Sequence, residues 1–294
     1  MRFLQLIILI TFLSGCESPN SQPNNLELNQ KFKDYWYSGK AELTSYTLEQ
    51  ARYGEIRKGE AVLIYVSEDF LPAKQVKADA QDDKNIPILK LNSTKKFLTG
   101  IYPYSIMESS FYPLNGEQHA LKVSASVQEW CGHVYMQLNN RNNFQITSHS
   151  YFQGEADSEV NLKRNHLENE IWNMLRIVPD SLPVGEFEMI PSFEYLRLHH
   201  KEIKAYTASG EYYTDEELNI YLLRYPQLKR ELKIYYSRTF PYSIQKWEET
   251  APSGFGENAQ VLTTRATKNK QIRIDYWNKN SNNDLYLRDQ LGLE

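Results

Sequence analysis

The strongest constraint on the fold lies between Trp130 and Phe152, where apolar residues recur at even positions around a polar centre. Alternation with period two puts one face of a strand on a core and the other on water. Centring the turn of Asn139-Asn140-Arg141-Asn142-Asn143 on Arg141 sets Leu138 opposite Phe144, Met136 opposite Ile146 and Trp130 opposite Phe152. A slip of one residue would turn every one of these side chains to the wrong face, so the pattern predicts a hairpin in that register. Leu121, Val123, Ala125 and Val127 alternate in the same way just upstream. The 21 tyrosines, against 13 glycines, fit half-buried pleated surfaces.

Further strands are expected at 43–53 and 61–66, joined at Arg57-Lys58-Gly59, and at 86–91, 95–99 and 101–111, before a turn at Pro113-Leu114-Asn115-Gly116. The period changes once. Leu167, Ile171, Met174, Leu175 and Val178 follow helical spacing, which predicts a helix over 162–177, capped by Asp157 or Ser158 and stopped by Pro179. Strands resume at 186–190, 195–199, 202–206, 218–225, 232–237, 261–266 and 272–277, with Lys268-Asn269-Lys270 as a hairpin tip. Tyr102-Pro103-Tyr104-Ser105-Ile106 is echoed by Phe240-Pro241-Tyr242-Ser243-Ile244, which suggests a duplicated β half. The fold class expected is therefore mainly β: antiparallel curved sheets in duplicated half-barrel-like halves, with one central amphipathic helix. The N-terminal half would span 32–178 and end in the helix; the C-terminal half would span 185–294.

The start of the chain addresses it to a membrane. Arg2, an apolar run from Phe3 to Leu13 and the small residues Ser14-Gly15 before Cys16 make a secretory signal over 1–15. The run is too short to span a bilayer as a helix, which takes about twenty residues. Leu13-Ser14-Gly15-Cys16 resembles a bacterial lipobox. The resemblance implies that Cys16 is lipidated and becomes the mature N-terminus, with Glu17 favouring the outer membrane over inner-membrane retention. Residues 16–31, rich in Asn, Pro and Ser, carry too little apolar surface to fold and read as a tether. With 33 Lys and Arg against 37 Asp and Glu, the net charge is −4, which excludes a general nucleic-acid binder.

Candidate chemistry centres on Cys131, His133 and His149. In the register above His133 faces His149, and Cys131 lies two residues along the same face. Imidazole and thiolate suit zinc or copper, and Glu129 could extend the set. The same trio could act as a thiol nucleophile with a histidine base. Against both stand the missing fourth ligand and Gly132, where a bulge would break the alignment. His199 and His200 are adjacent and would point to opposite faces of a strand. The glycines of Ala251–Asn258 lack the Lys and Ser or Thr of a phosphate loop, and no G-x-S-x-G elbow occurs. Tyr35-Trp36-Tyr37, Tyr212-Tyr213, Tyr235-Tyr236 and Tyr276-Trp277 could line a groove for a glycan or acyl chain.

Residues 35–42 (YWYSGKAE), 50–55 (QARYGE), 128–133 (QEWCGH) and 240–249 (FPYSIQKWEE) resemble a group of uncharacterised bacterial lipoproteins that often carries the label "septum formation inhibitor Maf". The Maf nucleotide pyrophosphatases have a Ser-Pro-Arg-Arg stretch near the N-terminus. This chain has none, so no pyrophosphatase residue carries over. By analogy of fold alone, curved half-barrels suggest lipoprotein carriers. The function expected is non-enzymatic: an envelope lipoprotein, anchored through Cys16, that binds an envelope protein, a glycan or a lipid, with no cofactor. A metal- or thiol-dependent enzyme built on Cys131, His133 and His149 is the alternative, and a Maf-type pyrophosphatase the least favoured.

Overall fold

The computed structural model describes residues 28–215 and 217–293. The signal, Cys16 and most of the tether lie outside the described residues. Helix α1 (Gln30–Trp36) leads into strands β1 (Ala41–Arg52), β2 (Glu55–Leu71), β3 (Val76–Lys77), β4 (Ile86–Thr99), β5 (Tyr102–Pro113), β6 (Lys122–Glu129), β7 (Gly132–Asn140), β8 (Phe144–Ser150) and β9 (Ser158–Leu162). The two-residue strand β10 (His166–Leu167) runs straight into helix α2 (Glu168–Ile177). Then come β11 (Gly185–Ile190), α3 (Phe193–Leu198), β12 (Tyr206–Thr214), β13 (Leu218–Tyr225), β14 (Arg230–Ser237), β15 (Ile244–Ser253), β16 (Gln260–Ile274) and α4 (Tyr286–Leu291). Among the described residues no helix is long and apolar enough to cross a membrane.

The two expected halves are one continuous sheet. From β1 the chain meanders outward to β9; from β11 it meanders back to β16, which pairs antiparallel with β1 over Ala41↔Ile274 to Glu49↔Arg265. The sheet's two edges are β9 and β10, separated by Lys163, Arg164 and Asn165 alone. Four Cα steps reach at most about 14 Å. Fifteen strands laid flat at about 4.8 Å apart would hold those edges about 67 Å apart. The sheet therefore has to curl until its edges nearly meet. One core cluster accordingly draws on both halves, from Leu48 and Leu138 to Ile234 and Trp247.

Local chemistry sets the turns. The first hairpin turns at Tyr53-Gly54, both with positive φ (56° and 77°), the signature of a type I′ turn that suits strand twist. The expected turn at Arg57–Gly59 is instead inside β2, where Gly59 lets β4 approach: a Cβ there would meet the Lys96 carbonyl oxygen at 2.2 Å. Likewise Lys268–Lys270 is no hairpin tip. It is a bulge in β16 opposite Ser45, whose Oγ accepts the Lys270 N–H, and one long strand replaces two short ones. The predicted helix is shorter than its pattern: 158–162 is edge strand β9, and the helix starts at Glu168, where Glu170 accepts the Leu167 N–H. Tyr195–His199, read as a strand, belongs to α3, capped by Ser192 Oγ accepting from the Tyr195 N–H.

Helix α2 fills the curl. Every residue of it except Trp172 is buried, although five are polar. Buried polar groups need partners, and strands from both halves supply them. Arg176 meets Glu42 of β1 in a two-pronged pair, both N–O distances 2.8 Å and both side chains 1% exposed. The Arg176 guanidinium also lies 4.6 Å from the Tyr65 ring centre, and its Nε–H donates to the Pro241 carbonyl. At the other end Glu168 accepts from Arg230 of β14 and from the Tyr225 hydroxyl. Between them Asn173 donates to the Leu89 carbonyl and Tyr65 to the Trp172 carbonyl.

Such a pair is costly to break. Arg176→Met should lower the free energy of unfolding by about 3–5 kcal/mol by stranding the Glu42 carboxylate, and Glu42→Met with Arg176→Met should recover most of that loss. Urea unfolding of the single and double variants measures both; a double variant no more stable than the single would contradict it.

Candidate functional site

The hairpin carrying two of the candidate ligands is two residues away from the expected register. Its loop is Arg141-Asn142-Asn143, with Asn140 opposite Phe144, so Leu138 faces Ile146 and Met136 faces Ser148. The strand runs one residue further into the polar tip than the symmetric reading placed it, and a three-residue loop closes it. A shift of two keeps each residue on its expected face while changing its neighbour. His149 consequently faces Tyr135, not His133. His149 Nδ1 lies 3.4 Å from Asp157 Oδ2 in the open.

Cys131 is not on the strand. With Trp130 it forms the tip between β6 and β7, where Glu129 pairs with Gly132 and accepts the Cys131 N–H at 2.6 Å. The exposed thiol is held above its usual range by hydrogen bonding to Glu129 and by that carboxylate's charge, the opposite of what a thiolate nucleophile needs. The structure does not bring Cys131, His133 and His149 together, and among the described residues no three His, Cys, Asp or Glu side chains are placed to hold a metal ion. The paired aromatics are spread over the structure. Trp36 and Tyr236 are in the core, while Tyr37, Tyr212 and Tyr213 are exposed.

Beside α2 lies a buried ionic network. Lys95 of β4 pairs with Glu194 of α3 at 2.8 Å, and Arg230 Nε–H donates to Glu249 of β15 at 2.7 Å. Glu108 of β5 accepts from the Glu194 N–H (2.8 Å) and the Asn169 side chain (3.0 Å) and makes no ion pair among the described residues. Burial, then the neighbouring Glu194 carboxylate, push Glu108 up to about 7. Arg230 and Lys95 hold Glu249 below its usual range despite burial. These side chains surround a cavity of about 40 Å³, into which the unpartnered Ser110 hydroxyl faces. That is room for roughly three waters.

A much larger opening, about 750 Å³, lies where the sheet's edge comes near α3. Its apolar lining is Val134 and Met136 of β7, Val160 of β9, Phe152, Leu196 and Ile203. Ligand pockets run from about 300 to about 1,000 Å³ and are mostly apolar, with a few placed polar groups. Here the polar lining comes from Ser148, Gln153, Glu155 and Ser158 and from the end of α3. The Lys201 N–H bonds the Leu196 carbonyl and the His200 N–H the Arg197 carbonyl, closing the helix as a Schellman turn. That turn puts His200 in the left-handed region (φ 51°), where glycine is usual and another residue costs about 1–2 kcal/mol. His200 Nδ1 and Arg197 Nη1 both approach Glu155 Oε1, at 2.6 and 3.2 Å. The sequence signal for this site was the Ser192 cap. Reading 195–199 as a strand separated Arg197 and His200 from each other.

Comparison with family models, with curated proteins and with solved structures returns no match.

The raised Glu108 has a consequence with a definite sign. Its folded-state affinity for a proton exceeds the unfolded one, so its contribution is complete below about pH 4.5 and lost as pH rises through about 7. The shift corresponds to roughly 3 kcal/mol. Glu108→Gln should therefore gain on the parent as pH is raised from about 5 to about 8, seen as a widening difference between their urea-unfolding free energies. Parallel profiles would contradict the assignment.

Proposed function

We infer that this chain is a lipid-anchored envelope protein that works by binding an apolar ligand in the opening between β7–β9 and the end of α3. The observation that carries the reading is the opening itself: about 750 Å³, lined by the apolar Val134, Met136, Val160, Leu196 and Ile203 together with a few charged groups. Burying an apolar chain there gains roughly 25 cal/mol per Å² removed from water. The anchor rests on Leu13-Ser14-Gly15-Cys16, and it would place such a site beside a membrane, a source of acyl chains. In this reading the protein is a non-enzymatic holder of an amphiphile, and neither a cofactor nor a nucleic acid has a part in it.

Two measurements test this. An uncharged naphthylamine dye should brighten and saturate at one site per chain, and Val160→Lys, at a half-exposed edge position, should weaken its binding about tenfold or more without changing thermal unfolding appreciably. Cys16→Ser should move the protein from the membrane fraction to the soluble one. A dye that does not bind, or binds Val160→Lys equally well, removes the ligand reading; a Cys16→Ser protein that stays membrane-bound removes the anchor.

A further inference from the structure

We propose that the mouth of this opening is an anion-binding subsite, so that the ligand is a single-chain amphiphile with an anionic head, a carboxylate or a phosphate monoester. The proposal rests on the ligand reading above and adds the head group to it.

Three observations point to an anion. Arg197 lines the opening with a side chain only 6% exposed, and its Nη1 donates to Glu155. Its Nε is buried without a partner, and its Nη2 has no hydrogen bond among the described residues. Nη2 is therefore the donor left to an anion in the opening, for a charge-assisted hydrogen bond. The Phe152 ring covers one face of the guanidinium, its centre 4.4 Å away, so a ligand chain lying on Phe152 would end at the arginine.

The charges at the mouth are also unbalanced. Glu155 is shared between Arg197 and His200, and Glu202 is taken by Lys204 at 2.5 Å. Lys201, exposed at the rim, has no carboxylate partner among the described residues. Arg197, Lys201 and Lys204 thus stand against only Glu155 and Glu202, and one more anion would complete the set. The third observation is the backbone. A glycine at position 200 would close the helix without strain, yet a histidine sits there and meets the same Glu155 oxygen that Arg197 does. Strain kept at a cleft is commonly kept for what the cleft does.

Displacement of the naphthylamine dye from the full chain carrying Cys16→Ser gives the test, with decanoate, decyl phosphate and decanol as competitors. At least one of the two anions should compete about tenfold or more better than decanol, one charge-assisted hydrogen bond's worth. Lys201→Glu, on the exposed rim, should erase that advantage and leave decanol within about twofold of the parent. Arg197→Lys, which keeps the charge but loses the Nη2 donor, should weaken the anions about tenfold if it folds. The preferred anion identifies the head group. If decanol competes as well as both anions, or Lys201→Glu leaves the ranking unchanged, the head-group proposal is overturned while the ligand reading stands. If neither dye nor decanoate binds, by displacement or by calorimetry, both are overturned.

Discussion

Three residues, Lys163 to Asn165, govern the architecture. They tie together the two edges of a sheet that would otherwise lie about 67 Å apart, and they cannot reach beyond about 14 Å. Once the edges are held close, the sheet must enclose a space, and the space must be filled. The chain fills it with its next residues: β10 passes directly into α2, so the segment that joins the edges also supplies the filling. The pairing of β1 with β16 at the centre of the strand order has the same effect from the other side, since it joins the outward and returning meanders into one surface.

A helix inside a curled sheet has no solvent face, which explains why α2 spends polar residues so specifically. Its N-terminal end carries Glu168 and its C-terminal end Arg176, the signs that suit the helix dipole. The sheet presents Arg230 to the first and Glu42 to the second. Inserted the other way round, the helix would set Glu168 against Glu42 and Arg176 against Arg230, about 12 Å apart along its axis. Two buried like-charge contacts are far more costly than two ion pairs that roughly repay their own desolvation. The pairs therefore contribute more to direction and register than to net stability. The tyrosines serve the same interior. Tyr46, Tyr65 and Tyr221 are buried rings whose hydroxyls end on the carbonyls of Ile244, Trp172 and Pro183. Each fills core volume and satisfies a backbone group at once.

Much of this was legible in the sequence, and the limits follow from what each signal encodes. Alternation fixes which face a residue takes, because a two-residue shift leaves the face unchanged; it does not fix the neighbour across the strand. So Met136, Leu138, Phe144 and Ile146 are buried as expected, while Trp130, at the tip before β7, is exposed, and His133 and His149 part company over the length of one loop. Gly59 reads locally as a turn residue, and only the approach of β4 explains it as a strand residue. Helix α3 was hidden because Tyr195-Leu196-Arg197-Leu198 is short and mostly apolar, as a buried strand is, and too short to show a helical period. In the structure all six residues of α3 are buried: a helix enclosed on every side has no exposed stripe to reveal its period.

The position of the opening follows from the same geometry. A sheet that curls without closing leaves a seam, and at a seam the strands run out of partners. Strand β9 pairs with β8 on one side only, and its residues alternate between half-buried and exposed, unlike the deeply buried rows of β6 and β7. The concave face near that edge cannot be covered by α2, which lies deeper and contacts β4 and β5. Covering falls instead to the end of α3 and to Lys201–Ile203 as the chain runs toward β12, and these cover it incompletely. The apolar floor and the cationic rim thus have separate origins: the floor is sheet interior left unfilled, and the rim is the C-terminal turn of a short helix, whose dipole favours cations such as Arg197 and Lys201. A place where a curled sheet fails to close beside a helix end is apolar on one side and positive on the other, the polarity of an amphiphile reversed in charge.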